Sequence, residues 1–288
     1  MEEFAVLKEI YLYPVKSLGG IKLEKGLVTK FGLAHPTNPD VIDRKWMIID
    51  DKGSFRTQRQ LPRMALINLN VDGESLVFDA PGKSRIKVPI NPKLDKKINC
   101  RVWNLHIDAY PYGGEIKKWI NDFLQTEGLD LVIFKGDDSD PRKSIEINEA
   151  ANLGRETDVV IFEDYSPFML ISVNSLEELN KKLENKVPMK QFRPNFVVDG
   201  CSGFSEDDWN NFKIGESRFC KIKHCTRCLL TTVDQEKGER DPEQQPLKTL
   251  KEFRMNEALY GKSPMFGINL GIDNPGLFVS IGDKIIKV

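Results

Sequence analysis

A chain of 288 residues, 40% hydrophobic and 30% charged, carries enough apolar material for one large domain or two ordinary ones, which excludes global disorder. Its 43 acidic and 42 basic residues nearly cancel, so nothing in the charge balance points to nucleic acid or another polyanion. The longest apolar runs, such as residues 168–173, fall far short of the ~20 that cross a bilayer, and the N-terminus lacks the basic start and apolar core of a signal peptide. The first 110 residues read mostly as strands. Residues 6–15, rich in Ile, Leu, Tyr and Val, form the first. Residues 45–50 alternate around Trp46, Ile48 and Ile49. Residues 64–71 alternate up to Asp72-Gly73 and continue at 75–78, the pattern of a hairpin. Residues 99–103 and 105–109 read as two more short strands, so a barrel or sandwich is expected.

The period then changes. Ile116, Trp119, Ile120, Phe123 and Leu124 share one face of a helix, with Gly113-Gly114 before it and Gly128 after it. Residues 129–134 suit a buried strand. The polar segment 136–143 suits a connection between two parts, and residues 159–162 read as a strand. Ser175 and Glu178 have capping-box spacing ahead of Leu176, Leu179 and Leu183. Residues 192–198 and 216–222 read as strands, 242–246 as a polar loop and 247–254 as a short helix. Residues 276–288 read as two strands around Gly282-Asp283. Glu206-Asp207-Asp208 reads as a solvated loop or helix start, and Trp46, Trp103, Trp119 and Trp209 as core anchors.

Five cysteines, an odd number, read as free thiols rather than a secreted disulfide scaffold. The sharpest local feature is His224-Cys225-Thr226-Arg227-Cys228. It lacks the second ligand pair of a zinc site, and its histidine stands on the wrong side for c-type haem. The surroundings are not those of a thioredoxin motif. Two ordinary thiols and a metal-binding thiolate favoured by Arg227 both remain open. Tyr13-Pro14-Val15-Lys16-Ser17 ahead of Gly19-Gly20 could hold an anion, or present a solvated lysine at a turn. Arg193, within Phe192-Arg193-Pro194-Asn195, and Arg44, after Asp43, each imply an anionic partner, internal or bound. No Gly-x-Gly-x-x-Gly or Walker loop is present.

Several dispersed motifs occur in one order: Tyr13 to Ser17, Asp43-Arg44-x-Trp46, Ser166-Pro167-Phe168, Ser175-Leu176-x-x-Leu179-Asn180, Phe192 to Asn195, Cys225-x-Arg227-Cys228-x-Leu230-Thr231-Thr232-Val233-Asp234, and the stretch from Leu259 to Gly267. Together they resemble the MOSC-domain proteins, and among them the mitochondrial amidoxime reducing component family. The resemblance implies a mixed α/β, β-rich fold. An N-terminal MOSC-type, β-barrel-like domain at 4–136 would precede a C-terminal MOSC β-barrel domain with peripheral helices at 143–288. It implies a molybdenum cofactor, Mo-molybdopterin, with Cys228 as metal ligand and catalytic residue. Lys16, Ser17, Arg44, Ser166, Arg193, Asn195, Thr226 and Arg227 would bind the cofactor. The implied activity is reduction of small N-hydroxylated substrates: amidoximes, hydroxylamines and N-hydroxyguanidines. The implied electron donor is a cytochrome b5-type protein with its NADH-dependent reductase. The alternative is a non-catalytic carrier of the cofactor or a sulfur-transfer MOSC module. Family members sit on the mitochondrial outer membrane through an N-terminal anchor. No such segment is read before Tyr11, so either an anchor has been trimmed or this member is not anchored; an intracellular location is expected, and a soluble, cytoplasmic form in the second case.

Overall fold

The computed structural model describes residues 3–136, 140–147 and 153–288. Its centre is a closed barrel of seven strands: β1 (Glu3–Leu12), β2 (Phe168–Ser172), β3 (Phe196–Asp199), β4 (Asn211–Ile214), β5 (Ser217–Thr226), β6 (Met265–Ile272) and β7 (Lys284–Lys287). The strands run β3-β2-β6-β5-β4-β7-β1 around the ring, and pairing of β1 with β3 closes it. All neighbours are antiparallel except β2 and β3. That parallel pair is joined through the helix Val173–Asn180, as a parallel connection requires. Phe168, Phe196 and Phe219 pack at centroid distances of 5.4–5.6 Å and fill the interior, so the barrel is a core and not a pore.

β1 shows how sequence becomes register. Its buried residues are Ala5 and Leu7, then Ile10 and Leu12. Two-residue alternation would break between Leu7 and Ile10. The ladder with β3 shifts between Leu7 and Glu9, and this extra residue moves the apolar set back to the inside.

The N-terminal part is β-rich and barrel-like. One sheet orders Trp46–Ile49, Asp130–Ile133, Leu105–Pro111 and Ile98–Val102, and a second orders Asn68–Asp72, Ser75–Asp79 and Ile86–Pro89. The helix Gly114–Leu124 buries the five residues of its apolar face. Trp46, Phe78 and Phe123 belong to the same core cluster as Phe168 and Phe219, so the two parts share one interior. The division at 4–136 and 143–288 divides the chain, while the sheets cross it. β1 lies in the barrel, and Phe278–Ser280 pairs with Lys25–Thr29.

Most elements match the expected order, with local corrections. Residues 62–66 form a 3-10 turn started by Pro62, and the strand begins only at Asn68. Residues 189–192 form another 3-10 turn, and Arg193 takes a left-handed backbone before β3. The helix near Ser175 is capped by Ser172, whose hydroxyl accepts the Ser175 amide at 3.0 Å. Ser175 instead donates to Glu206 Oε1 at 2.6 Å, so Glu206 is a fully buried partner and not a solvated residue. The two C-terminal strands are present, but they pair in different sheets. Part of the segment 136–143 lies outside the described residues.

Because β1 shuts the barrel, Leu7→Ala, at a site with no exposed surface, should destabilise it by ~2–5 kcal/mol. Denaturant unfolding read by tryptophan fluorescence checks this. Residues 143–288 expressed alone should fail to give a cooperative transition.

Candidate functional site

One mouth of the barrel opens into a cavity of about 130 Å³. The turn after β1 contributes Lys16 and Ser17, and the approach to Trp46 contributes Arg44. Ser166 precedes β2, and Arg193 and Asn195 precede β3. Thr226, Arg227 and Cys228 come from the end of β5. All nine site residues expected from the sequence therefore line one cavity. Backbone bonds zip the first two segments together: the Lys16 amide donates to Trp46 O at 2.8 Å, and the Trp46 amide donates to Pro14 O at 3.1 Å.

The backbone here is unusual. Ser17, Arg44 and Arg193 have φ of 66°, 48° and 58°, the left-handed region that side chains with a β-carbon seldom occupy. Such conformations cost about 1–3 kcal/mol each and persist only where the surroundings impose them. Gly267, behind Arg227, has φ of 79°, and a β-carbon there would stand 2.5 Å from Leu170 O.

Asp43 organises the cations. It accepts the Tyr13 amide at 2.8 Å and Asn195 Nδ2 at 3.0 Å, and it pairs with Arg44. Burial pushes its carboxyl upward, and Arg44 opposes that. Asn195 spends its remaining bonds on Tyr11 O (3.2 Å) and on the Met169 amide (3.1 Å), so its side chain acts as a cross-tie between β1 and β2. The Arg44 and Arg193 guanidiniums lie 5.0 and 4.3 Å from the Tyr13 ring centroid. Arg193 Nη1 donates to Leu18 O at 2.6 Å, but its Nη2 is buried without a partner. Burial pulls that guanidinium down to about 10.

Lys16 is buried, not solvated. Its Nζ donates to Phe162 O and to Asp164, each at 2.6 Å. Burial lowers its pKa, and Asp164 opposes the shift. Burial would raise the Asp164 carboxyl, yet Lys16, then Arg59 and the Trp103 indole, together hold it well below the usual range. Arg227 is a strut. Its Nε and Nη2 donate to Phe266 O, at 2.8 and 2.5 Å, and its Nη1 donates to Phe192 O at 3.0 Å. Ser166 donates to Phe168 O at 2.8 Å.

The two thiols of the Cys-x-x-Cys element differ sharply. Cys228 is exposed and Cys225 is half-buried, and all five cysteines are free. Burial pushes the Cys225 thiol up, although Arg227 and Lys223 oppose it. Arg59 Nη1 approaches Cys228 Sγ at 3.6 Å. Arg59 also lies 4.4 Å from the Trp103 ring centroid, and the Trp103 indole donates to Asp164 at 2.9 Å. Trp103 is 41% exposed, so it is not a core anchor; it braces Arg59 and Asp164 from outside the cavity.

Sequence reasoning missed Arg59, Glu163, Asp164 and the role of Trp103. The carboxylates left a trace, because two acids directly follow the apolar run that ends at Phe162. Arg59 left none. Among the described residues, no group of three His, Cys, Asp or Glu side chains could hold a metal, and no helix is long and apolar enough to cross a membrane.

Iodoacetamide should modify Cys228 at least about tenfold faster than Cys225 in cofactor-free protein, as followed by peptide mass spectrometry. Equal labelling of the two would contradict the difference in burial.

Comparison with known proteins gives this arrangement a context. The MOSC N-terminal beta barrel domain matches residues 4–127, and the MOSC domain matches residues 157–286. Mitochondrial amidoxime-reducing component 1 of Mus musculus is 35% identical over 99% of this chain and 83% of its own length. The Homo sapiens protein of that name shows the same identity and coverage. Mitochondrial amidoxime reducing component 2 of Homo sapiens is 34% identical over 100% of this chain and 85% of its own. With both domains matched and similarity running through nearly its whole length, this chain belongs to the MOSC-domain family of amidoxime-reducing components.

Proposed function

We propose that this protein is a molybdenum-cofactor-dependent reductase of N-hydroxylated compounds. The observation that carries this reading is the convergence of an exposed thiol, Cys228, with an unpartnered Arg193 Nη2 in one cavity. A buried guanidinium nitrogen without an acceptor is costly, and a phosphate or pterin oxygen would satisfy it. A single soft thiolate suits a metal whose other ligands come with an organic cofactor. The residues present therefore fit a phosphate-bearing pterin dithiolene.

Cys228 would ligate the metal, and Arg193, Arg44, Lys16 and Ser17 would hold the polar parts of the cofactor. Thr226, Arg227 and Ser166 shape the wall, and Asn195 fixes Asp43 behind it. When bound, the group supplies molybdenum that carries two electrons between its four and six oxidation states. Amidoximes, hydroxylamines and N-hydroxyguanidines would lose their oxygen as water, consuming two electrons and two protons. The electrons would come one at a time from a cytochrome b5-type haem protein served by an NADH-dependent reductase. Arg59, stacked on Trp103, lines the cleft 3.6 Å from Cys228 Sγ and would stand beside a bound substrate.

Metal and pterin analysis tests the assignment. Near-stoichiometric molybdenum with released pterin supports it, zinc or no metal refutes it, and bound pterin without turnover would mark a carrier. Cys228→Ser, which replaces a soft thiolate with a hard hydroxyl, should keep most pterin while reductase activity falls to background. Cys225→Ser should keep most activity. Equal loss in both, with a disulfide in the active form, would overturn the ligand assignment. A charge-assisted contact is worth ~1.5–3 kcal/mol, so Arg193→Ala should weaken cofactor retention by about one to two decades. Unchanged pterin content in a folded Arg193→Ala protein would remove Arg193 from the cofactor site.

A further inference from the structure

Five cations line the cavity: Lys16, Arg44, Arg59, Arg193 and Arg227. Four of them spend side-chain donors on a carboxylate or a backbone carbonyl. Arg59 does neither. Its Nε donates to Thr57 Oγ1 at 3.3 Å and its Nη1 to Cys228 Sγ at 3.6 Å, while its Nη2 makes no hydrogen bond among the described residues. Asp164 lines the same cavity but forms no ion pair with it. Asp164 Oδ1 is held instead by Lys16 Nζ at 2.6 Å and by the Trp103 indole at 2.9 Å. The Arg59 side chain is half-exposed, so a ligand entering beside Cys228 can reach its unspent donors.

This guanidinium is nevertheless fixed. Its carbon stands 4.4 Å from the Trp103 ring centroid and 5.8 Å from that of Phe55, and the two rings pack 5.2 Å apart. Arg240 donates to the Arg59 carbonyl and braces the backbone. Trp103 itself stands where a bulky residue seldom does. It is the first residue of the two-residue turn between the strands Ile98–Val102 and Leu105–Pro111, and its φ is 57°, a conformation that such turns usually give to glycine or asparagine. The indole bond to Asp164 holds it there. An arginine ordered in advance loses little freedom when it takes a ligand, so its contact is worth more than that of a loose surface charge.

We propose that Arg59, held in place by Trp103, sets the substrate preference of the cleft: its guanidinium receives a carboxylate that the N-hydroxylated substrate carries near its N–OH group. This deepens the reductase reading and rests on it. Arg59 touches the substrate, and Trp103, outside the cavity, is a positioning residue acting through it. The planar guanidinium fork matches a carboxylate, whereas an uncharged group gives it a weaker bond. Because Arg59 is half-exposed, water and salt screen part of the attraction. The preference is therefore about tenfold in KM and shrinks as salt is added.

The holoenzyme test compares benzamidoximes carrying a meta or para carboxylate with the matching carboxamides. The parent should have a KM about tenfold lower for at least one carboxylate than for its carboxamide. Arg59→Gln should lose that preference, and the change should fall on KM rather than kcat. Arg59→Lys, which keeps the charge without the fork, should keep part of it, and Trp103→Ala, which frees the guanidinium, should fall between the parent and Arg59→Gln. The cofactor-free chain gives a readout without turnover: the ratio of iodoacetate to iodoacetamide alkylation rates at Cys228. Both reagents consume the same thiolate, so the ratio reports the charge beside the sulfur. It should be about fivefold higher in the parent than in Arg59→Gln, the effect of one unit charge about 4 Å away in water. Trp103→Ala should again lie between them. A parent with no carboxylate preference, a preference intact in Arg59→Gln, or a ratio that Arg59→Gln leaves unmoved overturns the proposal. Loss of pterin from Arg59→Gln would assign the residue to the cofactor and overturn it as well. A Trp103→Ala protein that matches the parent in both readouts overturns the positioning role. A parent that reduces no amidoxime, although Arg59→Gln lowers the alkylation ratio, refutes the reductase reading itself, which is a different result.

Discussion

The carboxylate of Asp43, with no exposed surface, receives the Tyr13 amide, the Asn195 side-chain amide and the Arg44 guanidinium. These partners come from β1's exit, from the approach to β3 and from the segment before the Trp46 strand. Neutralising or removing this carboxylate would leave Arg44 buried and unpaired, a loss of about 3–5 kcal/mol. Arg44, in its left-handed backbone, and Tyr13, on whose ring Arg193 sits, are both bonded to it. Three loops that would otherwise repel one another through their cations are held at fixed spacing by one buried acid.

The remaining charges follow the same logic. Lys16 is neutralised by Asp164, and Arg227 is absorbed by the carbonyls of Phe192 and Phe266. A pocket with every cation unpaired would not stay folded, because each bare charge costs several kcal/mol. Here most cations are internally matched, and Arg193 Nη2 is left short. Attraction for an anion is therefore confined to a small part of the wall. Arg59, stacked on Trp103, adds a half-exposed charge that water partly screens.

Local signals were legible in the sequence wherever one period dominates. The helix Gly114–Leu124 followed from its apolar stripe, and the Trp46–Ile49 strand from its alternation. β1 was legible as a strand, but neither its bulge nor its place in the far barrel was, because both are set by partners nearly two hundred residues away. Residues 192–198 misled because Phe192 and Phe196 bracket a turn with strand-like apolarity. That nine residues so far apart in the chain line one cavity was legible only through motif order, since no spacing between Lys16 and Cys228 could bring them together by itself. Arg59, Glu163 and Trp103 are defined by what tertiary folding sets beside them. A polar stretch reading Thr57-Gln58-Arg59-Gln60 carries no mark of a thiol 3.6 Å from its arginine.

Closure of the barrel by β1 also bears on synthesis. The first strand made can pair its Ile10–Leu12 end at once with Ile21–Leu23, but the rest of its edges must wait for β3 and β7. A ribosome adding ~5–20 residues per second leaves Leu7, Ile10 and Leu12 without their barrel partners for ten seconds or more, on the order of the time needed to reach residue 196. During that interval the nascent chain presents an apolar strand with one edge open, the kind of surface that chaperones bind and that aggregates when they are scarce.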